Sequence, residues 1–182
     1  MTIENTILAK MIDLLETTPY DKIKVTKFIQ YANISRSSFY FYFDSISAVL
    51  DRIENDFIAG MPDEISTISR VCTHAKNPHS YLQIIKPVWD YIGAHMRLFR
   101  ILSGPNGRIE FQKKVETRIR KINEVLYHLT SSLSEQEQMI ACEIAVAMQW
   151  HIYQWWANHH DMVHYDVLVS FFAKYTEKVC LA

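Results

Sequence analysis

The chemistry-bearing stretch of this 182-residue chain lies near its start, where Ser35–Phe43 reads Ser-Arg-Ser-Ser-Phe-Tyr-Phe-Tyr-Phe. At helical spacing Phe39 and Phe43 are four apart and face inward together, which turns Arg36, Ser37, Tyr40 and part of Tyr42 outward. A short face of guanidinium and hydroxyls suits duplex DNA, because Arg pairs bidentately with guanine and hydroxyls bond base edges or phosphates. Local charge agrees. No Asp or Glu occurs from Lys22 to Phe43, whereas Lys22, Lys24, Lys27 and Arg36 fall inside that window and Asp21 and Asp44 bound it. Charge of this kind marks an electrostatic footprint for a polyanion. The alternative for the same residues is a helical hairpin with an aromatic core.

Other candidate chemistry is sparser. No clustered acid, base and nucleophile suggests catalysis. His159, His160, Asp161 and His164 stand close in sequence, but the four-residue spacing of His160 and His164 serves a metal only within one helix. Asp161-Met162 reads as loop, so surface histidines are expected, with no metal and no cofactor. Cys72, Cys142 and Cys180 show no ligand or CxxC spacing and read as thiols in a reducing cytoplasm. Trp89, Met96, Phe99, Phe111, Trp150, Tyr153, Trp155 and Trp156 have the composition of an apolar or aromatic effector pocket. Glu143 stands among Ile140, Ile144 and Ala147. An unpaired buried carboxylate is costly, so Glu143 is expected either to pair with an Arg such as Arg100 or to face solvent. It is also a candidate for sensing a cationic or polar ligand.

Helices must position these residues. Four Gly and five Pro leave little material for long loops, and Leu, Met, Ala, Glu and Lys are good helix formers. Ile3, Ile7, Leu8, Met11, Ile12, Leu14 and Leu15 form one amphipathic stripe that Thr2 can cap. Phe28, Ile29 and Ala32 mark a second helix. Asn33 can enter the left-handed region and turn the chain, Ile34 plugs the corner, and Ser35 caps a third helix. Asp44 or Ser45 opens a fourth, which Gly60 and Pro62 end. A shorter helix follows, then a break at Lys76-Asn77-Pro78, then a helix to Ala94 that Pro87 should kink or interrupt. Ser103-Gly104-Pro105-Asn106-Gly107 is the strongest loop signal in the chain. A long amphipathic helix through Phe111, Val115, Ile119 and Ile122 follows, and Ser134 with Glu137 forms a capping box for the next. Ile140–Ala157 is apolar on most sides, and Val167, Leu168, Phe171, Phe172 and Tyr175 line the last helix. Two terminal helices this apolar exceed one monomer's needs. They predict a homodimer through a four-helix bundle formed by about 134–158 and 164–180.

A net charge of −1 excludes a protein coated in basic surface, so any nucleic-acid contact is local. No leader and no apolar run of membrane-spanning length is expected, which points to a cytoplasmic protein that makes no membrane contact.

The run Val25-Thr26-Lys27-Phe28-Ile29, Ala32-Asn33-Ile34-Ser35, Ser38-Phe39-Tyr40-Phe41-Tyr42-Phe43, Ser45 and Leu50 resembles the DNA-binding domain of tetracycline-repressor-type (TetR/AcrR) regulators. The resemblance implies an all-α chain: a helix-turn-helix domain over 1–46 and a helical effector-binding and dimerisation domain over 47–182. It implies a homodimer that represses transcription on a near-palindromic double-stranded operator and is released by a small molecule. By position, Arg36, Ser37 and Tyr40 would reach base edges. Ser38 and Tyr42 would hold phosphates, with Lys24, Thr26 and Lys27 doing likewise and Ser35 at the cap beside them. Three residues depart from the family pattern: Asn33 replaces the corner Gly, Lys24 replaces a Thr or Ser cap, and Ile46 replaces a phosphate-binding Lys. The last leaves open a helical protein-interaction module with weak or lost DNA binding.

Overall fold

The computed structural model describes residues 2–72 and 78–180. Among these it contains ten α-helices, one 3-10 turn and no strand, an all-α architecture. The break expected at 76–78 falls largely outside the described residues, as do the side chains of Cys72 and Cys180.

Two compact units form, one from 1–60 with 97–111 and the other from 61–96 with 112–182. These geometric units do not follow the functional division expected at 46/47. The whole fourth helix and the 97–111 segment group with the N-terminal helices, for reasons set by side chains described below.

In the first unit, α1 (Ile3–Leu15) is capped by Thr2, whose hydroxyl accepts from the Asn5 amide, and it buries Ile7, Met11 and Leu15. After a 3-10 turn at Tyr20–Lys22 come α2 (Val25–Ala32) and α3 (Arg36–Tyr42). The corner between them is Asn33, with φ 54 and ψ 48, the only non-glycine at positive φ among the described residues. The Ile34 amide reaches back to the Ile29 carbonyl at 3.1 Å, closing the end of α2 as helix C-termini often do. α4 (Ile46–Gly60) starts on Ser45, whose hydroxyl accepts from the Ala48 amide.

The 97–111 segment contains α7 (Met96–Ser103) apart from its first residue, the loop 104–108 and the first residues of α8 (Ile109–Thr130). Gly107 permits its path, since a Cβ there would lie 2.0 Å from the Leu102 carbonyl oxygen. Three sets of contacts tie the segment down. Asn106 donates to the Leu15 carbonyl at 2.9 Å and accepts from the Tyr20 amide at its own carbonyl. Arg97 pairs with Asp13 and Glu16 at the end of α1. Arg108, nearly fully buried, forks onto the buried Glu54 of α4 at 2.8 and 2.9 Å and also reaches Asp51 and Ser47. Phe57, Phe99 and Phe111 fill the space beneath, with ring centroids 5.5 to 6.1 Å apart.

The second unit holds α5 (Glu64–Cys72), α6 (Pro78–Ala94), the rest of α8, α9 (Glu135–His159) and α10 (Tyr165–Cys180). α6 runs unbroken through Pro87, so of the expected kink or interruption the interruption does not occur. The flanking Ile84, Ile85, Val88, Trp89 and Ile92 are buried. Their packing holds the helix together across the hydrogen bond that Pro87 cannot donate. The capping box of Ser134 and Glu137 is present.

Candidate nucleic-acid interface

Three phenylalanines set the orientation of α3. Phe39 is fully buried, edge-on to Phe28 at 5.9 Å and tilted against Phe43 at 6.5 Å. With this side fixed inward, Arg36, Ser37, Tyr40, Phe41 and Tyr42 are exposed and Ser38 is half-buried. Lys24, Thr26 and Lys27, at the start of α2, are exposed as well. The sequence-nominated residues are therefore at the surface of the first unit, apart from the half-buried Ser38, and among the described residues Lys24, Lys27 and Arg36 take part in none of its ion pairs.

Local contacts shape this face. The Arg36 guanidinium lies over the Tyr40 ring, 5.5 Å from its centroid, a cation–π contact that steers the fork along the helix. The Ser35 hydroxyl accepts from the Ser38 amide at 2.9 Å and exchanges hydrogen bonds with the Ser37 and Ser38 hydroxyls at 2.9 and 2.7 Å. Its capacity is thus largely spent on the cap, leaving Ser37 and Ser38 the better placed for an outside partner. Lys24 makes no side-chain cap, as the missing Thr or Ser implies, and its amine stays in solvent. Ile46 is 8% exposed and belongs to the core. Sequence reasoning missed Phe41, which is 80% exposed. The signal was available: at 100° per residue, Phe41 lies about 180° from the mean direction of Phe39 and Phe43.

The residues nominated for an effector do not come together as one set. Phe99 and Phe111 are core residues of the first unit, packed on Phe57. Trp89, Trp150 and Tyr153 are buried in the second, and Met96 is half-buried at the start of α7. Trp89 is edge-on to Tyr153 at 4.6 Å, to Trp156 at 5.5 Å and to Phe172 at 5.6 Å. The indole nitrogens of Trp89 and Trp156 are both buried without a hydrogen-bond partner.

Glu143 is not buried. Its carboxylate is 65% exposed and pairs with Arg120 rather than Arg100, because the apolar side of α9 that faces the core is offset from it. Of the nominated effector residues, it alone lines a groove of about 700 Å³ bordered by Arg120, Glu124, His128, Met139 and Cys142. Burial holds the Cys142 thiol above its usual pKa, which makes it a weak nucleophile. His160 and His164 lie between α9 and α10 and contact their neighbours Asp161 and Asp166. Among the described residues no three potential metal ligands converge, and no helix is long and apolar enough to cross a membrane.

A left-handed corner between two short helices, an aromatic-ended second helix turned outward, and a helical bundle after them define the fold of TetR-type transcriptional regulators, and this chain has that fold. It is similar to a TetR-family transcriptional regulator of Syntrophomonas wolfei, with a TM-score of 0.67 at 14% identity over 98% of this chain and 95% of the other. It is also similar to the fatty acid degradation regulator FadR of Bacillus halodurans, with a TM-score of 0.63 at 15% identity over 94% and 92% of the two chains. The dihydroxyacetone kinase operon activator DhaS follows at 0.54 and 15% identity, over 98% of each chain. No family sequence profile and no curated protein sequence matches the chain.

Proposed function

We propose that this protein is a ligand-responsive, DNA-binding transcriptional regulator that acts as a homodimer on a near-palindromic operator, as a repressor. One observation carries the proposal: Arg36, Ser37 and Tyr40 project from a helix whose opposite side is pinned by Phe39 and Phe43, inside an acid-free basic window. A helix so presented enters a major groove with its polar face toward the base edges, while Lys24, Thr26, Lys27, Ser38 and Tyr42 serve the phosphates.

Two exposed apolar stripes support the dimer. Ile140, Ile144 and Ala147 run along α9, and Val167, Phe171 and Tyr175 along α10, each at helical spacing. A second copy presenting the same stripes covers them in a four-helix bundle. For the effector we favour the second unit around Trp89 and Trp156, whose unpartnered indole N–H groups suit an aromatic or apolar molecule carrying a hydrogen-bond acceptor. Effector binding then shifts the population toward a dimer whose reading helices no longer match grooves one turn apart. The chain enters and leaves the 97–111 segment from the second unit, so the Arg108 clamp on α4 is the natural point at which such a change is handed over.

The test is a salt-titrated gel shift on the DNA upstream of the protein's own gene, with R36A and Y40F beside the wild type. R36A should weaken binding by about tenfold or more, the loss of a bidentate guanine contact. Equal binding by all three proteins counts against the reading-face assignment. A second reading, a helical interaction module without DNA binding, draws on the burial of Ile46 where a phosphate-binding Lys would stand. Absence of salt-dependent binding to any duplex would select it.

A further inference from the structure

Phe41 is the most exposed large apolar side chain among the described residues. It stands on the side of α3 away from Phe39 and Phe43, one turn after Ser37, with Tyr40 to one side and Ser38 and Tyr42 to the other. Its ring meets the Tyr42 ring edge-on, with centroids 4.9 Å apart and planes at 82°. That contact holds the ring outward rather than folded back along the helix. Isolated exposed apolar residues are common on protein surfaces. This one differs in its rim, which is made of the hydroxyl-bearing Ser37, Ser38, Tyr40 and Tyr42 and lies in a stretch carrying Lys22, Lys24, Lys27 and Arg36 with no acid. A partner for this surface must be a polyanion that offers an apolar feature at the centre of the contact.

Building on the DNA-binding reading above, we propose that Phe41 reads thymine in the major groove, by packing its ring against the C5-methyl group. A phenyl ring neither donates nor accepts a hydrogen bond, so it adds nothing at a phosphate or at the polar edges of guanine, cytosine and adenine. The thymine methyl is the single apolar mark that a base pair shows in the major groove. Arg36 and Tyr40 then supply the polar part of the recognition on the adjoining base pairs. The operator half-site therefore contains a thymine whose methyl Phe41 contacts.

The experiment uses a duplex selected by the full-length wild-type protein from a random pool. Each thymine of the selected half-site is replaced in turn by deoxyuridine, which removes the methyl and leaves every hydrogen-bonding group in place. At one position the wild type should bind about fourfold more weakly, as expected for losing one methylene-sized apolar contact. F41S should bind the thymine and deoxyuridine duplexes equally, and F41L should retain part of the difference. Since Phe41 is exposed, neither variant should alter the helical circular dichroism. If the wild type binds with normal salt dependence but no position responds to methyl removal, or if F41S keeps the full response, the inference fails and the DNA-binding reading stands. A wild type that selects no duplex overturns both.

Discussion

Removing the Arg108 guanidinium should destabilise the first unit more than any other single change of a charged residue there. Arg108 donates its Nε and one terminal nitrogen to the two oxygens of Glu54, at 2.9 and 2.8 Å, and Glu54 is only 1% exposed. Its remaining bonds, to Asp51 and Ser47, run to more exposed groups and add less. The pair does not rank as strong because it attracts in isolation; bringing both charges out of water offsets most of that attraction. What matters is asymmetry. R108A removes one member of a buried ion pair, which costs about 3–5 kcal/mol, whereas replacing both partners by apolar residues is close to neutral. For an m-value of about 2 kcal/mol/M, R108A should lower the urea midpoint by about 1.5–2.5 M. The double variant R108M/E54L should return to within about 0.5 M of the wild type. A midpoint for R108A within about 0.5 M of the wild type would refute the reasoning. So would a double variant no more stable than R108A, since the loss would then come from the packing of the arginine stem and not from the broken ion pair.

Three further outcomes are expected. Burial pushes the Glu64 carboxyl up to about 8, against the opposing pull of Arg118, whose nearest nitrogen stands 3.7 Å away. The folded state thus holds a proton that the unfolded chain releases near 4.5, so stability should fall as pH rises from about 4.5 to about 8. E64Q should flatten that part of a denaturation-versus-pH curve; an unchanged slope would show that Glu64 is ionised when buried. I144D and F171D, each placing a carboxylate on an exposed apolar stripe, should halve the sedimenting mass without loss of helix. A wild type already monomeric at micromolar concentration would remove the dimer from the reading. N33A should be destabilising by about 1 kcal/mol, because alanine lacks the side chain that eases the left-handed conformation, while N33G should match or slightly exceed the wild type in thermal unfolding.

The parts of the fold that were legible in sequence are those fixed by contacts within a few residues. Asn33 at positive φ, the Ser35 cap, the Ser134–Glu137 box and the inward turn of Phe39 and Phe43 all follow from local rules, and each is present. At Pro87 the same kind of rule allowed an interruption that does not occur. Proline weakens a helix locally, but the buried apolar residues around it secure the helix from outside. The grouping of 97–111 with the N-terminal helices was invisible for a further reason: it depends on Arg108 meeting Glu54 and on Asn106 meeting Leu15, pairs separated by 54 and 91 positions. Nothing in periodicity or composition links such residues.

Glu143 shows the remaining limit. Apolar neighbours at 140, 144 and 147 suggested burial, yet Ile140 and Ile144 are themselves 62% and 56% exposed. An apolar helix side records that something covers it, but not whether the cover is the same chain. Ile140, Ile144, Val167 and Phe171 are exposed in the single chain, which is what the proposed dimer draws on. On that proposal the exposed hydrophobic residues of the two helix faces would be buried by a second copy, at about 25 cal/mol per Å². In the proposed regulator the reading face and the dimer face would be linked requirements: one short helix contacts only a few base pairs, and a second copy would double the contact while fixing the spacing that an effector could disturb.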